Sequence, residues 1–570
     1  MKSFYKNTKI ILGNNFSKIY YIILLFPIVS LLDVASLYII IKYLSTFASN
    51  STYINFYTYV VHLPEDELLR SNLMFKIGLG ILLLYTFKSI INFSIQIIII
   101  KFTFSASVSI IKKLFNFYLF NLIQYNGNKS ISKAIQNITN HTFVYVHQGL
   151  FSFLKILSEI FLFFAILLLL VYENIYLTLI LLTLFTFLVL LYLMLTRLKI
   201  KKGSEMISDS QKKVINLAKE SLQGLDEVYV YNLQQKILFR LKGFLDKYKN
   251  YISRHQILQD IPKHILEYTL ILLLLSYILY SFAQSSNNDD LLENIILFGL
   301  AALRLAPSLS QIIVHVNNIR FSKYSSDCLK DEIIMTSNQQ LEKVLGTSNK
   351  NYSTNFQSLS LSKCSFRYAD SYNDTLRNIN LNIDKGDMIG IVGESGAGKT
   401  TLIKIILGIL KFDKGEIKIN NQIADLADLK NNIAYVGQKS IIFDGTIAEN
   451  ITLFEDDFDK GKLHKAMELA KIDWLTISAD KYEVSSDSPN LSGGQIQRIA
   501  IARAFYSERE IMILDEITSS LDVLNVEAIQ ESLLRMKKNK TIIIVTHNKI
   551  LLRDCDKELL IKNSEINYIN

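Results

Sequence analysis

The sequence predicts a multi-domain membrane protein, in which an all-α transmembrane domain of six helices is followed by an α/β domain. Long apolar runs fill residues 1–320, whereas residues 356–570 have none of comparable length. Half of the 570 residues are hydrophobic and the mean hydropathy is +0.25, which is too apolar for a wholly soluble protein. The second part alternates short apolar strands with helical patterns, as α/β domains do.

The step in composition sets the expected domain boundaries. We assign residues 1–323 to the transmembrane domain, which includes cytoplasmic helical extensions. Residues 324–355 are rich in Ser, Asn and Lys and are expected to form a linker, and residues 356–570 form the α/β domain. The net charge is +9, but no basic block interleaved with aromatic residues indicates nucleic-acid binding. The three cysteines show no paired spacing, so they are expected to be free thiols.

Six segments are long and apolar enough to span a bilayer, which requires about 20 mostly apolar residues. They cover roughly 19–45, 74–102, 147–172, 174–197, 263–284 and 290–318. A short turn near Glu173 separates the third segment from the fourth, which predicts a helical hairpin. The connections at 103–146 and 198–262 are long, polar and helical in pattern, so we expect these helices to continue past the bilayer.

The distribution of Lys and Arg sets the expected orientation. The N-terminus and the connections at 103–146 and 198–262 are basic, whereas the opposite loops are acidic. By the positive-inside rule, both termini are expected on the cytoplasmic side of a multi-pass protein. The basic N-terminus precedes no small-residue cleavage site, so we expect the first apolar run to be retained as a transmembrane helix.

Polar residues within the spans predict a pathway between helices, because such residues are costly in a membrane and tend to face cavities or partners. The sixth span places polar side chains on one helical face, namely Arg304, Ser308, Gln311, His315 and Asn318. The second span has Lys88, Asn92 and Gln96 at steps of four, and the fifth begins with Lys263. The candidate substrate-pathway residues are Lys88, Lys263, Arg304, Ser308 and Gln311.

A structural interpretation of these residues stays open. Lys88 and Lys263 can extend to an interface, and Lys263 can pair with Glu267 one helical turn away. Asp33 and Glu159 are intramembrane acids that fit either interpretation.

The best-defined site lies at residues 389–401, where an apolar strand leads into a glycine-rich turn and then a helical pattern. Backbone N–H groups of such a loop cradle phosphate oxygens, and the positive end of the helix faces the same group. Lys399 can reach the β- and γ-phosphates and Thr400 can bind magnesium. The predicted nucleotide-binding residues of the loop are Gly393, Glu394, Ser395, Gly396, Ala397, Gly398, Lys399, Thr400 and Thr401.

Five further motifs follow this phosphate-binding loop along the chain. They are Gln438, Leu491-Ser-Gly-Gly-Gln495, the apolar strand ending in Asp515-Glu516, Ser519-Ser-Leu-Asp522 and Thr546-His547. Together they resemble the ATPase of ATP-binding-cassette (ABC) transporters over essentially all of residues 356–570. The resemblance implies that ATP and Mg²⁺ are bound.

The resemblance also implies individual roles. Tyr368 would stack on adenine, while Thr400, Gln438 and Asp515 would hold Mg²⁺. Glu516 would act as the base that orients or deprotonates water, with Gln438 and His547 as the other catalytic residues. Tyr368, Gln438 and His547 would then join the loop as ATP-binding residues.

The Leu-Ser-Gly-Gly-Gln motif implies a dimer. In the family, Ser492, Gly493, Gly494 and Gln495 would contact the γ-phosphate of ATP held by a second subunit. One cassette therefore cannot complete a site, and this chain contains one cassette and six spans. The resemblance implies a homodimer with two equivalent sites at a twofold interface.

Six spans ahead of a cassette resemble an ABC exporter half-transporter, which needs no separate binding protein. The stretch 301–311 further resembles the sixth span of bacterial lipid-linked oligosaccharide flippases of N-glycosylation and polysaccharide assembly. That resemblance implies translocation of a polyprenyl-pyrophosphate glycan to the outer leaflet of the bacterial inner membrane. It also implies an external helix near 53–63, where Tyr53, Phe56 and Val60 follow helical spacing; an aromatic-rich loop is the alternative.

Two departures and several alternatives remain. In the flippase family a second arginine would fall at Gln311. The segment 484–490 lacks the glycines common there in exporters, which bears on how ATP hydrolysis is coupled to the membrane domain. Other exporter substrates are a peptide, a lipid A-type lipid or a small amphipathic molecule. An ATP-gated channel or regulator would use the same cassettes, whereas a soluble ABC ATPase is excluded by the six spans.

Overall fold

The computed structural model describes most of the chain as two compact units. The described residues of the membrane unit are 2–48, 53–56, 59–62, 67–121, 131–283 and 288–343. Those of the C-terminal unit are 356–368, 371, 373–475, 478–485, 490–518, 521–537 and 539–569. Part of the glycine-poor segment before the Leu-Ser-Gly-Gly-Gln motif, 486–489, therefore lies outside the described residues.

Helices build the membrane unit. They are α1 (Lys2–Leu12), α2 (Ser17–Ile23), α3 (Leu25–Ala48), α4 (Glu67–Asn121), α5 (Ile131–Gln136), α6 (Thr142–Val144), α7 (Phe151–Glu173), α8 (Ile175–Gln223), α9 (Leu225–Val230), α10 (Gln234–Ala283) and α11 (Asn288–Lys343). A 3-10 turn at Gly13–Phe16 joins α1 to α2, and π-helical turns at Asn137–His141 and Tyr145–Leu150 flank α6.

Six helical segments of the described residues are long and apolar enough to cross a membrane, which confirms the expected number of spans. They are Ser3–Leu44, Ser71–Leu119, Lys133–Glu173, Thr178–Gln223, Gln234–Leu279 and Ile296–Met335. Helices α4, α8, α10 and α11 contain 49 to 56 residues. At 1.5 Å per residue they are about 75 to 85 Å long, more than twice a hydrocarbon core of about 30 Å. The predicted helical extensions are therefore present.

Two turns lie where the sequence predicts them. Asn174 adopts an extended conformation between α7 and α8, which forms the hairpin of the third and fourth spans. Gly224 separates α8 from α9 and interrupts the long helical pattern.

Two expectations in the membrane unit are wrong. Instead of a short helix at 53–63, strands β1 (Tyr53–Phe56) and β2 (Tyr59–His62) form an antiparallel hairpin with Tyr53 opposite His62. The segment is rich in Tyr, Ile and Val, whose branched and aromatic side chains favour strands. In addition, helix α11 continues to Lys343, so the first part of the expected linker at 324–355 is helical.

Gly149 allows a close approach of three helical segments in the membrane unit. A Cβ atom at this position would lie 2.7 Å from the Ser322 hydroxyl and 2.8 Å from the Phe4 ring. Small residues allow such close helix packing in membranes. The contact ties α1 and α11 to the third span.

The C-terminal unit has the predicted α/β architecture. Its strands are β3 (Ser358–Phe366), β4 (Leu376–Asp384), β5 (Met388–Gly393), β6 (Lys414–Ile419), β7 (Gln422–Ile423), β8 (Ile433–Val436), β9 (Gly445–Thr446), β10 (Glu483–Val484), β11 (Ile511–Asp515), β12 (Thr541–Val545), β13 (Lys557–Lys562) and β14 (Glu565–Tyr568). Its helices are α12 (Lys399–Ile406), α13 (Ile447–Thr452), α14 (Lys460–Leu469), α15 (Gly493–Tyr506), α16 (Val523–Lys537) and α17 (Lys549–Leu552), with a 3-10 turn at Leu426–Asn432.

A six-stranded sheet forms the centre of this unit, in the order β14-β13-β5-β12-β11-β8. Its inner strands run parallel, with Ile391 opposite Val545 and Asp515 beside Val545. Alternate residues of these strands enter two separate cores: Met512 packs on one face and Ile513 on the other. Both faces are therefore covered, as expected for a parallel sheet. A second, antiparallel sheet has the order β4-β3-β6-β7.

Candidate ATP site and transmembrane charge cluster

Three parallel strands end at the same edge of the central sheet. Gly393 ends β5, Asp515 ends β11 and Val545 ends β12. Ligands of open α/β sheets bind at the carboxyl ends of the strands. The sheet thus brings together the phosphate loop, the Asp515-Glu516 pair and His547, as the sequence motifs predict.

The phosphate loop depends on glycine at two positions. Gly396 and Gly398 have φ of +84° and +108°, which residues with a Cβ rarely adopt. A Cβ at Gly398 would lie 3.0 Å from Leu376, whereas one at Gly396 would meet no described atom within 4 Å. The loop is thus closed towards β4 and open at Gly396, where a ligand can approach its backbone.

Lys399 begins helix α12 and folds back over the loop. Its ammonium donates to the carbonyl oxygens of Gly393 and Glu394, at 2.5 and 3.1 Å, and lies 3.3 Å from His547 Nε2. The side chain is buried, and no carboxylate of a described residue lies within ion-pair distance of it. Its hydrogen-bond partners are therefore neutral, which leaves the ammonium able to bind a phosphate.

Glu516 and Gln438 meet beside the loop. Gln438 Nε2 donates to Glu516 Oε2 at 2.5 Å, which holds the carboxylate through a neutral partner. Glu516 adopts φ of +51°, and its amide donates to the carbonyl oxygen of Val545 at 2.8 Å. A non-glycine residue in this region is strained, and such strain is concentrated at functional sites.

Asp515 is buried one residue earlier. Burial, followed by the neighbouring Glu516 carboxylate, raises the pKa of the Asp515 carboxyl above its ordinary range. Tyr435 on β8 points its hydroxyl at Asp515 Oδ2, 3.5 Å away, and burial raises the pKa of Tyr435 to about 12. Tyr435 was not found from the sequence, because its only signal is a tyrosine on a strand three residues before Gln438.

The remaining loop partners lie nearby. The Tyr368 hydroxyl is 3.2 Å from Thr401 Oγ1, and its ring packs edge-on against Phe366. Tyr368 is thus fixed against the phosphate-loop helix. Thr400, in contrast, is exposed at the start of that helix.

The Leu-Ser-Gly-Gly-Gln motif caps helix α15. Ser492 Oγ accepts from the amide of Gln495, and Gln495 Oε1 accepts from the amide of Ser492, at 3.3 and 2.8 Å. This capping box leaves Gly493 at the exposed first turn. Among the described residues, no hydrogen bond joins Ser492 to the phosphate loop. The Gln495 side chain is engaged in the cap.

The donor set fits a magnesium nucleotide. Hard oxygen ligands suit Mg²⁺, which usually binds through one or two carboxylates and phosphate oxygens. When burial and an adjacent acid raise the pKa of a carboxyl group, a nearby cation favours its ionised form again. Asp515 meets this description, and the Lys399 ammonium is available for the phosphates.

The membrane unit contains a second polar site, centred on Asp33 of α3. Its carboxylate lies 2.7 Å from the Lys88 ammonium of α4 and 3.3 Å from the Arg304 guanidinium of α11. Asn92 donates to the same carboxylate at 3.3 Å, and Lys88 also donates to Ser36 at 2.9 Å. Asp33 is only 3% exposed and Lys88 12%, whereas Arg304 is 47% exposed. Asp33 is thus the shared partner of two of the predicted pathway residues, Lys88 and Arg304.

Helix α7 completes this site. Ser308 donates to Glu159 Oε2 at 2.7 Å, and the Lys155 ammonium lies 5.9 Å from the centre of the Phe151 ring. A cavity of about 90 Å³ is lined by charged and polar side chains that include Asp33, Lys155, Glu159 and Arg304. We call Asp33, Lys88, Lys155, Glu159 and Arg304 the charge cluster. The sequence did not single out Lys155, although its spacing of four from Glu159 places both on one helical face.

Two predicted pathway residues lie apart from this cluster. Lys263 is exposed on α10, and its expected partner Glu267 instead lies 3.9 Å from His264. Gln311 is exposed on α11. Neither makes a hydrogen bond or ion pair with the charge cluster among the described residues.

The C-terminal residues of the polar face of α11 contact neighbouring helices. His315 Nδ1 lies 3.1 Å from Ser152 Oγ, and Asn318 Oδ1 accepts from Gln259 at 2.5 Å. The polar face of α11 therefore contacts α3, α7 and α10 in turn. For His315 and Asn318, these contacts account for the pattern without a ligand.

The central sheet and its loop resemble the ATP-binding domain of ABC transporters. Residues 376–519 match the family model described as ABC transporter. The matched segment runs from β4 to the residues after Glu516, and so includes the phosphate loop and the capping box of α15.

The fold of the chain is similar to that of a solved ABC exporter. The solved structure of a bacterial Atm1-family ABC exporter with ATP bound aligns with a TM-score of 0.70 and 18% identity, over 97% of this chain and 94% of the other. The described residues supply the six membrane-spanning candidates and the α/β domain of that fold.

Curated relatives match part of the chain. The ATP-dependent lipid A-core flippase of Pasteurella multocida is 33% identical over 278 residues, 47% of this chain and 46% of the relative. The α-hemolysin translocation ATP-binding protein of Escherichia coli O157:H7 is 38% identical over 207 residues, 35% of this chain and 29% of the relative. The chain thus spans less than half the length of these relatives.

Proposed function

We propose that this chain is an ABC exporter half-transporter that works as a homodimer and uses ATP hydrolysis to move an anionic lipid across the membrane. The substrate we favour is a polyprenyl-pyrophosphate-linked oligosaccharide, carried from the cytoplasmic to the outer leaflet of a bacterial inner membrane, with both termini cytoplasmic. The observation that carries the substrate class is the convergence of Lys88 and Arg304 on one buried cluster.

Hydrolysis requires the nucleotide to be held in line with a water. Lys399 binds the phosphates, and Glu516, oriented by Gln438, accepts a hydrogen bond from the attacking water. His547, beside Lys399, stabilises the γ-phosphate as charge moves onto the leaving group. Thr400, Gln438 and Asp515 would hold Mg²⁺, which offsets phosphate charge when it is bound.

The position of Ser492 supports the dimer. Its helix begins at an exposed turn whose free N–H groups and positive end favour an anion. Within one chain this turn has no hydrogen bond to the phosphate loop. A second copy related by twofold symmetry would place it over the partner's nucleotide, which yields two equivalent sites.

The charge cluster supports an anionic head group. With all five side chains ionised it carries three positive charges and two negative charges, a net charge of +1. An entering phosphate can replace Asp33 as the partner of Arg304, which is half exposed, and can also contact Lys155. Guanidinium and ammonium groups bind phosphate by charge-assisted hydrogen bonds.

The apolar part of such a lipid has a place of its own. A cavity of about 500 Å³ lies between α8, α10 and α11 and is lined mainly by apolar side chains that include Leu181, Leu270, Leu274 and Phe298. An apolar chain can occupy it or stay in the bilayer while the head group crosses.

A lipid A-type substrate is the second candidate. It is favoured by the similarity to two lipid A-core flippases, those of Pasteurella multocida and Aliivibrio fischeri. Both candidates carry phosphate, so either could bind the charge cluster. They differ in the size of the glycan and in the number of apolar chains.

Reconstitution tests the proposal. The full chain in liposomes should move polyprenyl-pyrophosphate oligosaccharide to the other leaflet with ATP, and lipid A and a neutral glycolipid serve as parallel arms. Arg304→Gln should slow transport about tenfold or more with little loss of basal ATPase activity, whereas Lys330→Gln on the same helix should behave like the unchanged protein.

The outcomes separate the alternatives. Faster transport of lipid A would favour the second candidate, and equal transport of the neutral lipid would refute the anionic substrate. Substrate-stimulated ion conductance without lipid movement would instead favour an ATP-gated channel. If Arg304→Gln transports normally, the cationic-pathway part of the proposal fails.

A further inference from the structure

A second basic pocket lies in the membrane unit, away from the charge cluster. Its volume is about 170 Å³, five to six times the ~30 Å³ that one water occupies in the liquid. Helices α8, α10 and α11 line it with Lys199, Ile200, Lys202, Gly203, Tyr251, Arg254, His255, Leu258 and Phe321. The lining thus combines three permanent cations with apolar and aromatic walls, and no acidic residue is among these described side chains.

The three cations lack anionic partners. Lys199, Lys202 and Arg254 are exposed, and none of them forms an ion pair with a described residue. Elsewhere on α8 a basic residue does form an ion pair: the Lys213 ammonium lies 2.7 Å from the Asp209 carboxylate. Three like charges around one pocket repel one another, and a bound anion would relieve this repulsion.

His255 gives an independent sign that the pocket is incomplete. It is 8% exposed and stacks on Phe321 with ring centres 4.2 Å apart. Its Nε2 lies 3.0 Å from Gln259, but its Nδ1 has no hydrogen-bond partner among the described residues. A buried polar atom without a partner is costly, so its presence in the wall of a basic pocket favours a ligand that reorganises the site.

We propose that this pocket binds a phosphate-bearing anion, independently of the transported substrate. Two sources share this chemistry: the phosphodiester head group of an anionic phospholipid, and soluble phosphate or pyrophosphate. The pocket lies just after the apolar part of α8, on the side expected to be cytoplasmic, where basic pockets between helices attract anionic lipid head groups. Apolar walls at Ile200, Leu258 and Phe321 suit the glycerol and upper acyl carbons of a lipid.

Gly203 provides a way to close the pocket without changing its charge. A Cβ at this position meets no described atom within 4 Å, so a larger side chain enters the open space. Leucine is also a better helix former than glycine, so folding of α8 should not suffer. Gly243 on α10 is equally open but lies outside the pocket, which makes Gly243→Leu a matched control.

The experiment counts lipids on the full-length chain. The protein, purified in uncharged detergent, is titrated with phosphatidylglycerol or phosphatidylcholine, and bound lipids are measured by native mass spectrometry. Lys199→Gln with Arg254→Gln should weaken phosphatidylglycerol binding about 25-fold, about fivefold for each basic residue. Lys212→Gln with Lys249→Gln removes the same charge from α8 and α10 outside the pocket and should change the affinity less than twofold.

Further arms identify the ligand and guard against misfolding. Gly203→Leu should abolish the tight site while Gly243→Leu retains it. Competition by millimolar pyrophosphate indicates a shared phosphate site, and binding of pyrophosphate without phosphatidylglycerol indicates a soluble ligand. Equal affinity in pocket and control variants, or equal binding of phosphatidylcholine, overturns the proposal. If the charge variant fails to fold, the Gly203→Leu result decides.

Discussion

The ATP site and the charge cluster contain the same kinds of groups, acids and bases held below the protein surface, but they are assembled differently. The ATP site is built from loops at the ends of adjacent parallel strands, and Lys399 contacts backbone carbonyls six residues or fewer away. In the charge cluster, by contrast, Asp33 of α3 meets Lys88 of α4 and Arg304 of α11, the latter 271 residues away along the chain. Its geometry depends wholly on the packing of long helices.

The difference also concerns electrostatics. In the ATP site, no carboxylate of the described residues lies within ion-pair distance of the Lys399 ammonium, so its charge remains available for the nucleotide. In the charge cluster, the single Asp33 carboxylate is shared by Lys88 and Arg304. Under the proposed function, a ligand of the charge cluster must displace an internal ion-pair partner, whereas the nucleotide displaces none from Lys399. This exchange predicts weaker binding and easier release, which suits transport.

The largest effect is expected at the ATP site. Glu516→Gln should reduce ATPase activity at least about 100-fold, because an amide cannot accept the proton of the attacking water. ATP binding should persist, since Lys399 and the loop are unchanged. Phosphate release and ATP retention on the full chain measure both effects, with Glu531→Gln at an exposed position of α16 as the control. Normal turnover would refute the role of Glu516.

The strand, turn and helix of the phosphate loop lie where the sequence predicts them because these elements are local. The strand, the loop and the helix are contiguous, and the glycines that allow φ of +84° and +108° are required by backbone geometry rather than by distant packing. Tyr435 was missed because its contact with Asp515 arises only when β8 pairs with β11.

The membrane cluster predicts a different response to substitution. Asp33→Asn leaves Lys88 buried with its charge uncompensated, which should destabilise the membrane unit by about 3 kcal/mol. Adding Lys88→Met should recover at least half of this loss, because the second change removes the orphan charge. The apparent Tm of the full chain in detergent measures the recovery. As a control, Lys76→Met, at an exposed position of α4, replaces Lys88→Met in the double variant.

Rescue by Lys88→Met but not by Lys76→Met would establish the pair as an energetic unit. Equal rescue by both lysine changes would show that only net charge matters. The charge cluster would then not depend on a specific ion pair, and the contrast with the ATP site would be wrong. No such rescue is expected for Glu516→Gln, whose partner Gln438 is neutral.

Ser492 sharpens the comparison by separating stability from catalysis. Ser492→Ala removes the cap of α15 and should cost about 1 kcal/mol of stability. In the proposed dimer it should also impair the partner's nucleotide site. Mixed dimers of Ser492→Ala and Glu516→Gln chains should therefore retain one site with both residues intact, and hydrolyse at up to half the normal rate. A chain carrying both changes, mixed with unchanged chain, should leave no site intact in the heterodimer.

The prediction from sequence was less complete in the membrane unit for a physical reason. Hydropathy determines which segments cross the bilayer, and the six spans follow from it, while polar and glycine residues mark the turns at Asn174 and Gly224. It does not determine which faces meet, so Lys263 and Gln311 were grouped with residues they do not contact. The hairpin at β1 and β2 shows that aromatic spacing in a short segment cannot separate helix from strand when Tyr, Ile and Val favour the latter.

The smallest effect is expected at an ion pair on the rim of the central sheet. Asp556 accepts from the Met388 amide at 2.8 Å and lies 2.6 Å from the Lys537 ammonium. Partial burial raises the pKa of this carboxyl, but Lys537 and the Met388 amide more than offset it, so the pKa lies below its ordinary range. A depressed pKa means that the ionised form stabilises the fold above the ordinary value, and that this contribution is lost as the pH falls through the folded value.

Asp556→Asn should therefore lower stability by about 1 kcal/mol or less at pH 7, because the pair is partly exposed. The difference in apparent Tm between the variant and the unchanged chain should shrink as the pH falls below about 4, the ordinary range of an aspartate. Lys537→Met should show the same pH dependence, since it removes the other half of the pair. A difference that stays constant with pH would mean that the Met388 hydrogen bond, rather than the charge, accounts for the effect.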